Sequence, residues 1–500
     1  MKNTLILFLL AFCVTLALAK QTQQELEEAE LKASQEEDER VKAAGALLVG
    51  SSGILVPDAS ADKPMILDNK KDQPLCKPDT TLSSSRPLKV MDGFELTVLV
   101  NSIPNPHKIM IDKANHVLVI SPGNGVYSVR MDDCSNASVE KILDSQTMDQ
   151  PIGQSMAIFG GHLYVTTTNS IYQFPYSDGQ HSSLLEGRLV MTNIQSDAID
   201  IAVDPFGHAF VSRSVGEIHD KLDAFHGIIK KFNLKLIPQH GFDYERHGEM
   251  HAYGTNTYGS MGFDTQARLW GLNGLSSSEI TRDDINLAAN GLAEELNLYE
   301  FSKMNYGFPY CMTEYNLAEV SASAAKGLGG QWAHPIFMND SVSLDDYCQQ
   351  EVNNKPPSVP LAPNSLAVSV HFYLGTFCSM GDSTTMGTSV GLPCNWTDTP
   401  ILANHGIDGQ PAGHNVVRLP FDDLGHKPRW DKEPEVILEQ AEPCNDNECL
   451  SPNGLAVDKY GRLFVTSDKT NEILVVSRIY SERAIHMLTD KYEEEAERIG

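Results

Sequence analysis

Positive charge is scarce in this 500-residue chain: 38 Lys and Arg face 66 Asp and Glu, for a formal net charge of −28. Nucleic acid and anionic membranes are held by clustered Lys and Arg, so the balance argues against both as partners. Long apolar runs are missing beyond the N-terminus, so no integral membrane segment is expected after a leader is removed. No Cys-x-x-Cys pair exists, which removes the common zinc spacing. His247-Gly248-Glu249-Met250-His251 has i, i+4 histidines without the Glu placement of a zinc protease, and His219, His226 and His240 read with it as loop histidines. Gly387-Thr388-Ser389-Val390-Gly391 spells a nucleophile string but lacks the strand before it and the helix after it.

What is present begins with a secretory signal over residues 1–19. Lys2 gives the positive start, Leu5 to Leu16 the apolar run and Ala17-Leu18-Ala19 the small-residue cleavage site. Secretion to the extracellular space follows as an expectation. Cys13 leaves with the signal, and eight cysteines remain: Cys76, Cys134, Cys311, Cys348, Cys378, Cys394, Cys444 and Cys449. An even number in an oxidising compartment predicts four disulfides among 105 pairings, and the short Cys444–Cys449 loop is the first choice. Three sequons place candidate glycosylation at Asn136, Asn339 and Asn395.

The chain repeats one phrase. Ile201-Ala202-Val203-Asp204-Pro205-Phe206-Gly207-His208-Ala209-Phe210-Val211-Ser212 returns as Leu455-Ala456-Val457-Asp458-Lys459-Tyr460-Gly461-Arg462-Leu463-Phe464-Val465-Thr466. Looser copies carry Asp112 and Asp264, and a further copy at Ala157 to Val165 drops the Asp. Each copy is an apolar strand, a polar turn and a second strand, which is a hairpin. A hairpin this small cannot bury its own apolar face, so repetition implies an array with a shared core.

Six hairpin-bearing units are counted, near 108–131, 155–176, 200–234, 259–300, 365–422 and 453–479. The early spacing of about 45 residues suits a four-stranded blade. The predicted fold is all-β, a six-bladed propeller over 88–480 with long insertions at 310–362 and 374–400. A strand over Val90–Val100 is expected to complete the last blade and close the ring. An acidic helical segment and linker precede it over 20–87, and an acidic C-terminal helix over 481–500 follows. Glu25 to Glu39 alone carries eight carboxylates.

Two further segments are distinctive: Asn305-Tyr306-Gly307-Phe308-Pro309-Tyr310-Cys311, and Asn404-His405-Gly406 with Val416-Val417-Arg418 on the next strand. With the opening Gly93-Phe94 strand and the phrase after Pro104-Asn105-Pro106, they make the chain resemble, from Gly93 to about Ile479, the secreted glucose/sorbosone dehydrogenases. The resemblance implies a six-bladed propeller that oxidises a sugar or polyol with pyrroloquinoline quinone (PQQ) and calcium. It implies a cofactor pocket lined by Asn256, Asn273, Asn305, Tyr306 and His405, with His405 as candidate catalytic group.

The chain departs from the family at several points. The catalytic His that the family places before the strand matching Ile199 to Asp204 is replaced by Gln195-Ser196-Asp197-Ala198-Ile199-Asp200. Thr255 stands where the family has a cofactor-binding Arg before Asn256-Thr257, Leu272-Asn273-Gly274-Leu275 replaces its acidic and Arg residues, and Ile407-Asp408-Gly409-Gln410 its Trp-Asn-Arg. PQQ has three carboxylates, which ordinarily call for Arg. The competing expectation is therefore a carbohydrate-binding propeller without catalysis. A third follows from Ser451-Pro452-Asn453-Gly454-Leu455-Ala456 with Asp468, which resembles the metal-binding blade of gluconolactonase-like hydrolases, with Asn453 and Asp468 as calcium ligands.

Overall fold

A computed structural model describes residues 82–478 apart from internal segments, the longest being 215–226, 336–343 and 379–389. The expected N- and C-terminal helices, the signal segment, Cys76, Cys134, Asp197, Asn339, Asp408, Gly409 and Cys444 lie outside the described residues.

The strands form six blades in chain order. Blade 1 runs through Ile109–Ile111, Val117–Ser121, Gly125–Asp132 and Asn136–Asp144. Blade 2 runs from Ile152–Phe159 to Arg188–Thr192, and blade 3 from Ile199–Val203 to Glu249–Tyr253. Blade 4 starts at Gly262–Phe263 and ends at Val359–Leu361, blade 5 spans Ala367–Phe372 to Glu435–Gln440, and blade 6 holds Pro452–Val457, Leu463–Ser467 and Glu472–Arg478. The fourth strand of blade 6 is Phe94–Val100, antiparallel to Glu472–Arg478. The start of the propeller thus pairs with its end and removes the free edge, as the sequence predicts. The expected strand is shorter at its start: Leu88–Val90 pairs instead with the outer strand of blade 5, matching Val90 to Leu438.

Blade strands are buried on both faces, because each blade packs against two neighbours. Val117 and Val119 join the blade 6 residues Phe464 and Val475, while Leu118 and Ile120 join the blade 2 residues Met156 and Leu163. All four of these blade 1 side chains are fully buried. Equivalent clusters seal blades 2 and 3, 3 and 4, 4 and 5, and 5 and 6. At roughly 25 cal/mol per Å2 of apolar surface removed from water, these six seams dominate the stability of the ring.

The recurring Asp builds the turn after the inner strand. Asp204 Oδ1 accepts from the backbone N–H of Phe206 and His208 at 2.9 and 2.8 Å. Asp264 does the same for Gln266 and Arg268, and Asp458 for Tyr460 and Arg462. The residue four positions on adds its side chain: Arg268 Nε lies 2.7 Å and Arg462 Nε 2.9 Å from the respective carboxylates. These turns lie at the far ends of the inner strands, so the repeated phrase is scaffold chemistry.

The second long insertion sits where expected, and the first is shorter than the expected 310–362 because Val359–Leu361 is the fourth strand of blade 4. Residues 310–358 separate the third and fourth strands of blade 4, and residues 374–399 separate the first two strands of blade 5. Each carries its own disulfide, Cys311–Cys348 and Cys378–Cys394. Cys449 is also disulfide-bonded.

Candidate active site

Inner strands of a propeller all run the same way, so their first residues converge on one end of the central axis. A cavity of about 190 Å3 opens there, and every blade lines it near the start of its inner strand. Blade 1 gives His107 and Lys108, blade 2 Gln154, blade 3 Asp200, blade 4 Ser260, blade 5 Val368 and blade 6 Asn453. His405 and Asp468 join them from the ends of second strands, which return to the same face.

The floor is a cross-brace. Lys108 Nζ donates to Asp200 Oδ1 at 2.7 Å, to Ser155 Oγ at 2.9 Å and to the Ile201 carbonyl at 3.0 Å, which uses all three ammonium hydrogens. Asp200 also accepts from Ser155 Oγ and from the Met261 amide. One buried carboxylate therefore ties blades 1, 2, 3 and 4 together.

The wall is an imidazole–carboxylate cluster. His405 Nε2 lies 2.9 Å from Asp468 Oδ2 and 3.1 Å from Oδ1, and its Nδ1 lies 2.9 Å from the Gly406 carbonyl. Asn453 Nδ2 donates to Asp468 Oδ2 at 3.1 Å. His107 Nε2 is 3.7 Å from the same oxygen, beyond hydrogen-bond range. Burial works to raise the Asp468 carboxyl, but the His405 hydrogen bond and charge, with His107 and Asn453, hold it below the usual carboxylate range. Burial also opposes charge on His405, yet Asp468 and the Gly406 carbonyl keep it above the usual imidazole value. For His107 burial prevails over the pull of Asp468 and lowers it.

Local backbone chemistry fixes these positions. A Cβ on Gly454 would lie 2.4 Å from the His107 carbonyl oxygen, so glycine lets the start of blade 1 press against blade 6. Thr466 Oγ1 donates to that same carbonyl at 2.6 Å. Gly406 has φ of +77° and sits against His414, which turns the chain just after His405.

Of the residues that the sequence singles out, the structure gathers His405, Asn453 and Asp468 at the mouth. The oxygens of Asp468 face His405 and the Asn453 amide, and among the described residues no cluster of three or more His, Cys, Asp or Glu is arranged to hold a metal. Asn256, Asn273, Asn305 and Tyr306 lie elsewhere. Asn273 Oδ1 accepts from the Asn256 backbone and from Tyr299. Asn305 ties Gly307 N–H to the Asn353 carbonyl, and Tyr306 packs edge-on against Tyr299 with centroids 4.7 Å apart. Asn273 and Tyr306 border a separate cavity of about 30 Å3 beside blade 4. Thr255, at the family's Arg position, is fully buried and binds the Gly227 carbonyl through its backbone. Of the sequons, Asn395 is exposed.

His107, Lys108 and Asp200 line the mouth without having been singled out. The available signal is positional: polar residues in the first turn of an inner strand, such as His107-Lys108 just before Ile109, point at the axis.

Residues 88–479 match the TrAA12-like family. The chain is 22% identical over 409 residues to a pyrroloquinoline quinone-dependent sugar dehydrogenase of Hypocrea jecorina, covering 77% of this chain and 88% of the relative. Among solved structures it is similar to a Trichoderma reesei protein of carbohydrate-active enzyme family AA12, with TM-score 0.67, 22% identity, and 80% of this chain and 100% of that chain covered. It is also similar to the PQQ domain of pyranose dehydrogenase from Coprinopsis cinerea, with TM-score 0.66, 17% identity, and 81% and 100% covered.

Proposed function

The chain belongs to the TrAA12-like family, and from that premise we propose that it is a secreted oxidoreductase that oxidises a hydroxyl of a sugar or polyol at the channel mouth, with PQQ as oxidant. The observation that carries this reading is the cluster of two imidazoles on one carboxylate at the axis, where all six blades open. Imidazole is the side chain best suited to take a hydroxyl proton near neutral pH.

The groups at the mouth that could face a planar anion are His107, Gln154, Ser260 and Asn453, with Lys469 close enough to His405 to act on its charge, whereas Lys108 and His405 are already held by Asp200 and Asp468. Bound there, PQQ would supply an acceptor for the hydride that leaves the carbinol carbon. The protein's own residues would orient the hydroxyl through Asn453, Gln154 and Ser260, and hold its proton on an imidazole backed by Asp468. Disulfides in both insertions, and the absence of any long apolar helix among the described residues, fit a secreted protein. No calcium site is proposed among the described residues.

A second reading, sugar binding without oxidation, is favoured by one observation. Lys108 and His405 already face Asp200 and Asp468, so much of the positive charge at the mouth is balanced internally.

Incubation of the purified protein with PQQ and calcium, then desalting, separates the two readings. Quinone absorbance that stays with the protein, together with dye reduction on addition of glucose or sorbitol, is expected. Sugar binding without quinone retention would establish the second reading instead.

A further inference from the structure

We propose that His107, and not His405, is the imidazole that meets the ligand hydroxyl at the channel mouth and accepts its proton, while His405 and Asp468 act as positioning residues. The inference rests on the dehydrogenase reading above and assigns a residue within that site.

Hydrogen-bond valence distinguishes the two imidazoles. Nδ1 of His405 faces a carbonyl oxygen, which can only accept, so that nitrogen must donate. Nε2 of His405 faces both oxygens of Asp468, an ionised carboxylate, so that nitrogen donates as well. An imidazole with both nitrogens donating is a cation with no lone pair to offer. The environment points the same way: burial opposes the charge, but Asp468 and the Gly406 carbonyl outweigh it and keep His405 above the usual imidazole value. His405 is thus a fixed charge that orients Asp468.

His107 stands in the opposite condition. Its ring lines the cavity with 19% of the side chain exposed, and among the described residues neither ring nitrogen makes a hydrogen bond. Burial favours the neutral form, which keeps a lone pair. The Asp468 oxygen at 3.7 Å is too far to occupy that ring and near enough to stabilise an imidazolium once formed. The backbone of His107 is pinned by Ile120 and Thr466, so the ring projects from a rigid strand start. The groups facing it are Asp468 and His405, with Lys108 next in the chain.

The O–H bond of the ligand breaks and its proton passes to His107. The hydride on the same carbon leaves to an oxidant of the quinone class, and the C–O single bond becomes a carbonyl.

Nitrogen NMR of histidine-labelled wild-type protein near neutral pH provides the first measurement, and it requires no variant to fold. His107 is expected to show one protonated and one bare nitrogen that shifts on titration with glucose or sorbitol, while His405 shows both nitrogens protonated and moves little. The second measurement is turnover of PQQ-loaded protein. His107→Gln is expected to lower kcat by roughly 100-fold or more, while the sugar dissociation constant changes by no more than about threefold. Asp468→Asn is expected to move the rising limb of kcat/KM to lower pH and to lower its plateau, a signature that a purely structural role lacks. A His107→Gln enzyme with turnover near that of the wild type, or a titration that moves His405 and leaves His107 still, would overturn the assignment. Failure of the dehydrogenase reading shows separately, as wild-type protein that reduces no dye while glucose still shifts His107.

Discussion

Asp398 illustrates how much a single buried carboxyl can weigh. It is 5% exposed, in the insertion of blade 5, and receives the Thr265 amide at 2.9 Å across the seam to blade 4. Burial, with the like charge of Asp264, pushes its carboxyl up to about 6. A carboxyl raised in the folded state stabilises the protein fully below its ordinary value near 4 and loses that contribution as pH rises through about 6. At neutral pH the native state therefore holds an unfavourable charge. Asp398→Asn keeps an acceptor for Thr265 and removes the ionisation. It should leave stability near pH 4 almost unchanged and raise it near pH 8 by at most about 3 kcal/mol. Urea unfolding of both proteins at the two pH values checks this, and an equal shift at both would refute it. None of this was legible in the sequence, where Asp398 is one acid among 66 and its neighbour Asp264 lies far away along the chain. His107 was hidden for a related reason: its partner Asp468 arrives only when the ring closes. Asp204, Asp264 and Asp458 were legible because their partners are two and four residues away.

Elements were far more readable than residues. Strand alternation, turn chemistry and repetition are local, and they gave the six blades and the closing strand. Their limits came from insertions: the fourth strand of blade 4 lies at Val359–Leu361, beyond the unit counted as 259–300, because residues 310–358 interrupt the blade. The cysteines behave likewise. Their even number and location in the insertions could be read, while the pairing could not, since loop closure constrains spacing only weakly. Cys311–Cys348 and Cys378–Cys394 close separations of 37 and 16 residues, each within one insertion and neither between blades. Cross-links of this span restrict the unfolded chain by roughly 3–4 kcal/mol each. The double variant Cys311→Ser, Cys348→Ser should lower the urea midpoint accordingly and leave the far-ultraviolet strand signal intact, because no blade ladder includes the bridge. Loss of the whole strand spectrum would instead show that the insertion is needed for ring assembly.

At the scale of the molecule, two charge distributions coexist. The chain as a whole carries −28, whereas the mouth sets Lys108 against Asp200 and His405 against Asp468. A ligand approaching from bulk solvent meets the net field before it meets the mouth. Neutral sugars and polyols feel little of it; sugar acids are repelled until salt shortens the field, with a screening length of about 10 Å at 0.1 M. If the channel mouth takes neutral polyhydroxylated ligands, kcat/KM for glucose should stay within about twofold between low and high salt. A uronic acid of the same ring size should be used poorly at low salt and improve several-fold as salt is added. Initial rates from product formation over a salt series measure both, and product formation avoids the charge of a reporter dye. A uronate favoured at low salt would mean that a local positive field overrides the global one, and would make Lys469 and a protonated His107 the groups that recognise the ligand.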